Sequence, residues 1–167
     1  PLGGVGQRFI DAGYKTYKPF LQVSKNDRII DKIIRNFPSS KTKIIIIGNE
    51  KKLRLIKSSL KKNIIFIKIK NHKHGPLYSI FLANDKLKKI IKNKNFFIVY
   101  SDINWNWKFQ EIDKYIKNKK VVIFTHKGFH PDLETNNKSD FCSVNKKNYI
   151  NRVSEKKLIF KDYKKNL

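Results

Sequence analysis

Apolar positions along this chain change their period several times, and each change marks a predicted element. Ile29, Ile30, Ile33 and Ile34 recur at helical spacing, so Ile29 to Phe37 reads as an amphipathic helix. Asp27 or Asn26 can cap its start, and Pro38-Ser39-Ser40 ends it. Lys43 to Ile47 carries four successive isoleucines and is closed by Gly48, the pattern of a strand buried on both faces. Glu50 to Leu60 can make a helix, and Ile64 to Ile69 is a second buried strand. Gly75-Pro76 opens a helix expected to run to about Lys89. Phe96 to Tyr100 reads as a third strand ending at Ser101-Asp102, Phe109 to Ile116 as a helix, and Val121 to Phe124 as a fourth strand. Beyond Gly128 the pattern is irregular, with short strands expected at 140–145, 148–153 and 158–160.

Strands that alternate with helices predict an α/β fold, with a mainly parallel sheet between helical layers. No internal repeat or long linker interrupts the chain, so one domain over residues 1–167 is the expected organisation. In such sheets ligands bind beyond the carboxyl ends of the strands. The glycine-rich opening, Gly75 and Asp102 all follow strands or open helices and are therefore expected to converge on one sheet edge.

The opening string has the chemistry for that edge. Gly3, Gly4 and Gly6 free a loop of side chains, so backbone N–H groups can approach an anion. Arg8 adds a forked guanidinium and Lys18 a point charge, both suited to phosphate oxygens. Gly-rich loops are also ordinary turns. The dinucleotide fingerprint fails at Phe9, where a third glycine belongs, and no Gly-Lys-Ser/Thr follows to make a P-loop.

The whole string resembles the signature of the sugar-phosphate nucleotidyltransferases. It reads Pro1-Leu2-Gly3-Gly4-Val5-Gly6-Gln7-Arg8-Phe9, then Ala12-Gly13-Tyr14, then Tyr17-Lys18-Pro19-Phe20. Gln7 stands where Ser or Thr is usual, and Tyr17 replaces a proline. The resemblance implies a GT-A-like, Rossmann-like three-layer α/β/α fold. It implies transfer of a nucleoside monophosphate from an NTP to a sugar-1-phosphate or similar phosphomonoester, with Mg²⁺ and release of pyrophosphate. It implies nucleotide contacts at Leu2, Gly3, Gly4, Gly6 and Gly75, catalytic roles for Arg8 and Lys18, and Asp102 as metal ligand. Glu155-Lys156 resembles the family's pair beside the sugar phosphate, and Gly128-Phe129-His130-Pro131 a segment of a capsule-type branch. Synthesis of cell-surface polysaccharide precursors in a bacterial cytoplasm is the setting it implies. Against the family's length, the chain reads as a piece that opens inside the first strand and stops short of the C-terminal part.

Other readings stay open on the residues alone. Asp102 can cap a helix or turn instead of holding Mg²⁺, which takes few protein ligands beside substrate phosphates. Asp102-Ile103-Asn104 is not the Asp-x-Asp of many GT-A glycosyltransferases, yet a glycosyltransferase using an NDP-sugar remains an alternative. His72-Lys73-His74, with His126 and His130, could suggest a zinc site, though no thiol accompanies them.

Charge changes the picture least. Lys+Arg 38 against Asp+Glu 13 leaves +25, which alone suggests a polyanion partner such as nucleic acid. The lysines are spread along the chain among many Ile and Asn, as an AT-rich coding sequence would place them on solvated faces. Few arginines are available for base-edge readout, so no specific nucleic-acid partner is expected. The single cysteine, Cys142, excludes an internal disulfide and a Cys-type metal site, in keeping with a reducing cytoplasm. No apolar run approaches the ~20 residues that span a bilayer, so no membrane association is expected.

Overall fold

The computed structural model describes residues 1–4, 6–37, 42–57, 60, 64–101, 103, 116, 121–125, 140–155, 157 and 159. The chain divides into two compact units, Pro1–Lys114 and Tyr115–Leu167.

The first unit is built on two parallel strands, β1 (Ile44–Gly48) and β2 (Ile64–Lys68). Their register runs unbroken from Ile44 opposite Ile64 to Gly48 opposite Lys68. Successive side chains of a strand point to opposite faces, and the isoleucine runs use both. Ile44, Ile46, Ile64 and Phe66 join a core with Leu2, Phe20, Ile30, Ile34 and Ile56. Ile45, Ile47, Ile67 and Ile69 join a second core with Ile80, Ala83, Leu87 and Ile90. Helices therefore cover both faces, which is the α/β layering expected. Each fully buried isoleucine contributes about 1.5–3 kcal/mol relative to exposure.

The helix α1 (Gln7–Asp11) follows the glycine loop, and a 3₁₀ turn at Lys18–Phe20 drops Phe20 into the first core. Helix α2 (Ile29–Arg35) starts at Arg28 and not at Asp27 or Asn26. Asp31, three residues into the helix, reaches back to the Arg28 backbone N–H at 3.1 Å and does the work expected of a cap side chain. Helix α3 (Glu50–Arg54) ends well before Leu60. Its exit is drawn aside because the Leu55 carbonyl accepts from Arg28 Nη1 at 2.7 Å, and Ile56 then turns into the core at 2 % exposure.

The long helix expected from Gly75 is two helices, α4 (Gly75–Leu82) and α5 (Asn84–Ile91). The break is at Ala83, whose φ of −94° and ψ of −1° leave the regular helix. Ladder bonding resumes at once, with Leu87 N–H donating to Ala83 O at 2.9 Å. The kink keeps Ile80, Ala83, Leu87 and Ile90 on one stripe against the sheet.

Two expected strands do not form. At 96–100 and 121–124 the backbone is not in a ladder, and Phe96, Ile98, Val121 and Ile123 are more than half exposed. An apolar run supplies the propensity for a strand, but a strand also needs a regular backbone ladder, and these described residues are not in one. The expected helix at 109–116 falls outside the described residues apart from helical Ile116.

The second unit holds an antiparallel hairpin of β3 (Phe141–Val144) and β4 (Ile150–Ser154), where strands were expected. Phe141 pairs with Ser154 and Cys142 with Val153, and a bulge falls between Ser143 and Val144. Its turn is held by the Asn145 side chain, which accepts from the N–H groups of Lys147 and Tyr149 at 2.9 and 3.0 Å. Of the expected strand at 158–160, only Ile159 is described, in a bend.

Candidate functional site

The glycine loop lies over the carboxyl end of β1. Leu2 N–H donates to Ile47 O at 2.6 Å, and Leu2 bridges Gly48 in parallel sense. Gly4 then bridges His72, beyond the end of β2. Leu2 is buried in the first core, so its side chain anchors the loop while its backbone runs across the strand ends.

The glycines play different parts. A Cβ on Gly3 would overlap Ser79 Oγ and His72 Nε2 and stand 2.9 Å from Ile69 Cδ1. Gly3 is therefore a close-approach glycine, sealed against α4. A Cβ on Gly4 or Gly6 would meet nothing within 4 Å. Gly6, at φ +72°, supplies the left-handed turn that leads into α1. One side of the loop is thus packed and the other open.

His72 and Ser79 form the packed side. His72 Nε2 and Ser79 Oγ are 2.8 Å apart, and both residues are buried. Burial first, then the nearby His74 and Lys52 charges, hold the His72 imidazole below its ordinary value, so it favours the neutral form. Tyr78 stands edge-on to the rings of His72 and His74, with centroids 5.0 and 4.7 Å away. This network ties the glycine loop to Gly75, which opens α4 at φ +76°.

Lys18 is brought to the same place from the 3₁₀ turn. Its Nζ lies 5.3 Å from the centroid of the Phe9 ring on α1. Arg8 is in α1, and its side chain lies outside the described residues. The structure therefore gathers Leu2, Gly3, Gly4, Gly6, Lys18 and Gly75 at one end of the parallel sheet. Glu155 directly follows β4 in the second unit. Asp102, Lys156, His126 and His130 lie outside the described residues.

Lys52 was not singled out by the sequence. Asn49 Oδ1 accepts from its backbone N–H at 2.9 Å and so caps α3. Helical side chains lean toward the helix N-terminus, and Lys52 leans back onto the loop. Its Nζ donates to Leu2 O at 3.0 Å and to Gly4 O, and lies 4.8 Å from the centroid of the Tyr17 ring. The readable signal was a lysine in the first turn of a helix that starts right after a buried strand. That is the unfavourable sign for the helix dipole.

An open cleft of about 560 Å³ adjoins this end of the sheet, lined by Tyr17, by Asn49 and Glu50 after β1, and by Lys68 and Asn71 around the end of β2. Glu50 pairs there with Lys68 and Arg54, and hydrogen bonds from those two cations hold its carboxyl below the usual range. Among the described residues, no group of three or more His, Cys, Asp or Glu side chains could hold a metal ion. No described helix is long and apolar enough to cross a membrane.

A buried parallel β-unit with a glycine loop across its carboxyl end and helices on both faces defines an α/β domain. The chain belongs to the nucleotidyl transferase family, whose profile matches residues 2–156. No curated protein and no solved structure matches it.

Proposed function

We propose that this protein transfers a nucleoside monophosphate from an NTP to a sugar-1-phosphate or a similar phosphomonoester, in the supply of activated sugars for cell-surface polysaccharide. The observation that carries this reading is the two-sided loop. Gly3 is packed on His72 and Ser79, while Gly4 and Gly6 face open space at the end of the sheet. Membership of the nucleotidyl transferase family supports it.

In this reading the acceptor phosphate attacks the α-phosphorus and pyrophosphate leaves. The nucleophile is already an anion, so no general base is needed and the work is positioning and neutralisation of charge. The loop from Leu2 to Gly6 would receive the triphosphate, and Gly75 would lie beside the base and ribose. Arg8 would balance charge on the leaving group, and Lys18 would stabilise charge at the α-phosphate. Glu155 and Lys156 would meet the acceptor phosphate. Asp102 would hold Mg²⁺, which supplies neutralisation of the phosphate oxygens when bound.

The test is pyrophosphate release from each of ATP, CTP, GTP and UTP with a panel of sugar-1-phosphates. Release that needs one NTP and one acceptor together supports the reading. Binding of every polyanion alike, abolished by salt and with no turnover, would instead make the +25 charge the operative feature.

A further inference from the structure

Lys52 is a buried cation with no anion beside it among the described residues. It is 4 % exposed, and its ammonium touches two carbonyl oxygens and an aromatic ring. Among the described residues no carboxylate pairs with it: Asp31 is held by Arg28 and Lys57, and Glu50 by Arg54 and Lys68. Its charge also opposes protonation of His72. Removing an ammonium from water costs several kcal/mol unless an opposite charge offsets it. Burial accordingly holds the Lys52 amine below its ordinary value.

The two carbonyls it holds belong to Leu2 and Gly4, the ends of the sealed segment of the glycine loop. The charge therefore contacts the loop backbone at both Leu2 and Gly4. Resting on the nucleotidyltransferase reading above, we infer that Lys52 is a positioning residue that supplies the buried countercharge for the polyphosphate of the nucleotide. It acts through the Leu2 and Gly4 carbonyls, without touching the ligand, and fixes the loop while offsetting the negative charge brought onto it. It differs from Arg8 and Lys18 in coming from α3.

The test compares wild type, Lys52→Gln and Lys52→Met, each in the presence of Mg²⁺. Gln keeps a donor for the carbonyls and Met keeps the bulk. Affinities are measured by calorimetry for the tightest-binding NTP and for its NMP, with melting of the ligand-free proteins beside them. The expected result is NTP affinity about 10- to 100-fold lower in both variants, NMP affinity within about threefold, and ligand-free melting unchanged or raised. Lys52→Gln binding NTP like wild type would overturn the inference. So would equal loss of NMP and NTP with a lowered melting temperature, which would make Lys52 a structural staple. A wild type that binds no NTP would instead overturn the nucleotidyltransferase reading beneath it.

Discussion

Arg28 and Asp31 meet in a two-pronged pair, with Nε to Oδ2 at 2.8 Å and Nη2 to Oδ1 at 2.9 Å. The carboxylate is wholly buried, and Lys57 Nζ adds a contact at 3.3 Å. Because Arg28 also reaches Leu55 O, the pair joins the start of α2 to the exit of α3. Burial alone would raise the Asp31 carboxyl, but the hydrogen bonds from Arg28 and Lys57 hold it below its ordinary 3.8. Asp31→Asn is expected to cost about 3–5 kcal/mol, read by urea unfolding at pH 7. The sign with pH follows from the lowered value. The contribution is complete above about pH 3.8 and is lost as pH falls from there through the folded-state value. The gap between wild type and variant should therefore narrow in acid, and a gap that widens would contradict the assignment.

His72 acts at a higher pH. Its folded value lies below the ordinary 6.5, so the unfolded chain takes up a proton first as pH falls. Its contribution to stability is present above about pH 6.5 and declines below it. Wild type should lose more stability than His72→Gln between pH 7.5 and 5.5, on the order of 1 kcal/mol. An equal loss of unfolding free energy in wild type and variant between the two pH values would rule this out.

The two adjacent glycines of the loop should respond oppositely to alanine. Gly3→Ala forces a methyl into Ser79, His72 and Ile69, and is expected to cost about 1–3 kcal/mol. Gly4→Ala meets open space and should change stability by no more than about 0.5 kcal/mol. If the open side receives triphosphate, Gly4→Ala will still weaken NTP binding, which calorimetry on the folded variant can read.

Lys18→Ala and Arg8→Ala probe the proposed chemistry directly. Each is expected to lower turnover by about 10²-fold or more. Lys18→Ala loses the contact with the Phe9 ring, worth about 0.5–1 kcal/mol. Full turnover in either variant would remove that residue from the mechanism.

Much of this architecture was legible in the residues. The isoleucine runs at 44–47 and 64–67 specify buried parallel strands because nothing polar interrupts either face. The Ile29–Ile34 stripe specified α2 by its helical spacing, with polar residues between. What could not be read was set by partners distant in sequence. Leu55 leaves its helix because Arg28 takes its carbonyl, and Ala83 breaks another in the stripe against Ile47 and Ile67. The runs at 96–100 and 121–124 have strand composition, but these described residues are not in a ladder. In the site, the motif assigned Gly3 with Gly4 and Gly6 to the approach of an anion, and could not show that Gly3 packs on His72 and Ser79, some seventy residues away. Lys52 was hard to pick out because its one signal, a lysine in the first turn of a helix, is weak among so many lysines until its burial is known.

Ile46 and Ile47 are joined by a single peptide bond, yet they serve different cores. The glycine loop draws on both: Leu2 is rooted beside Ile46, while Gly3 rests on His72 and Ser79 from the opposite layer. A destabilising change in either layer is thus transmitted to the same four residues of backbone. Nucleotide affinity in this protein should serve as a gauge of core integrity on both sides of the sheet. Core variants in α2 and in α5, which serve different cores, would be expected to compound each other's loss at the loop.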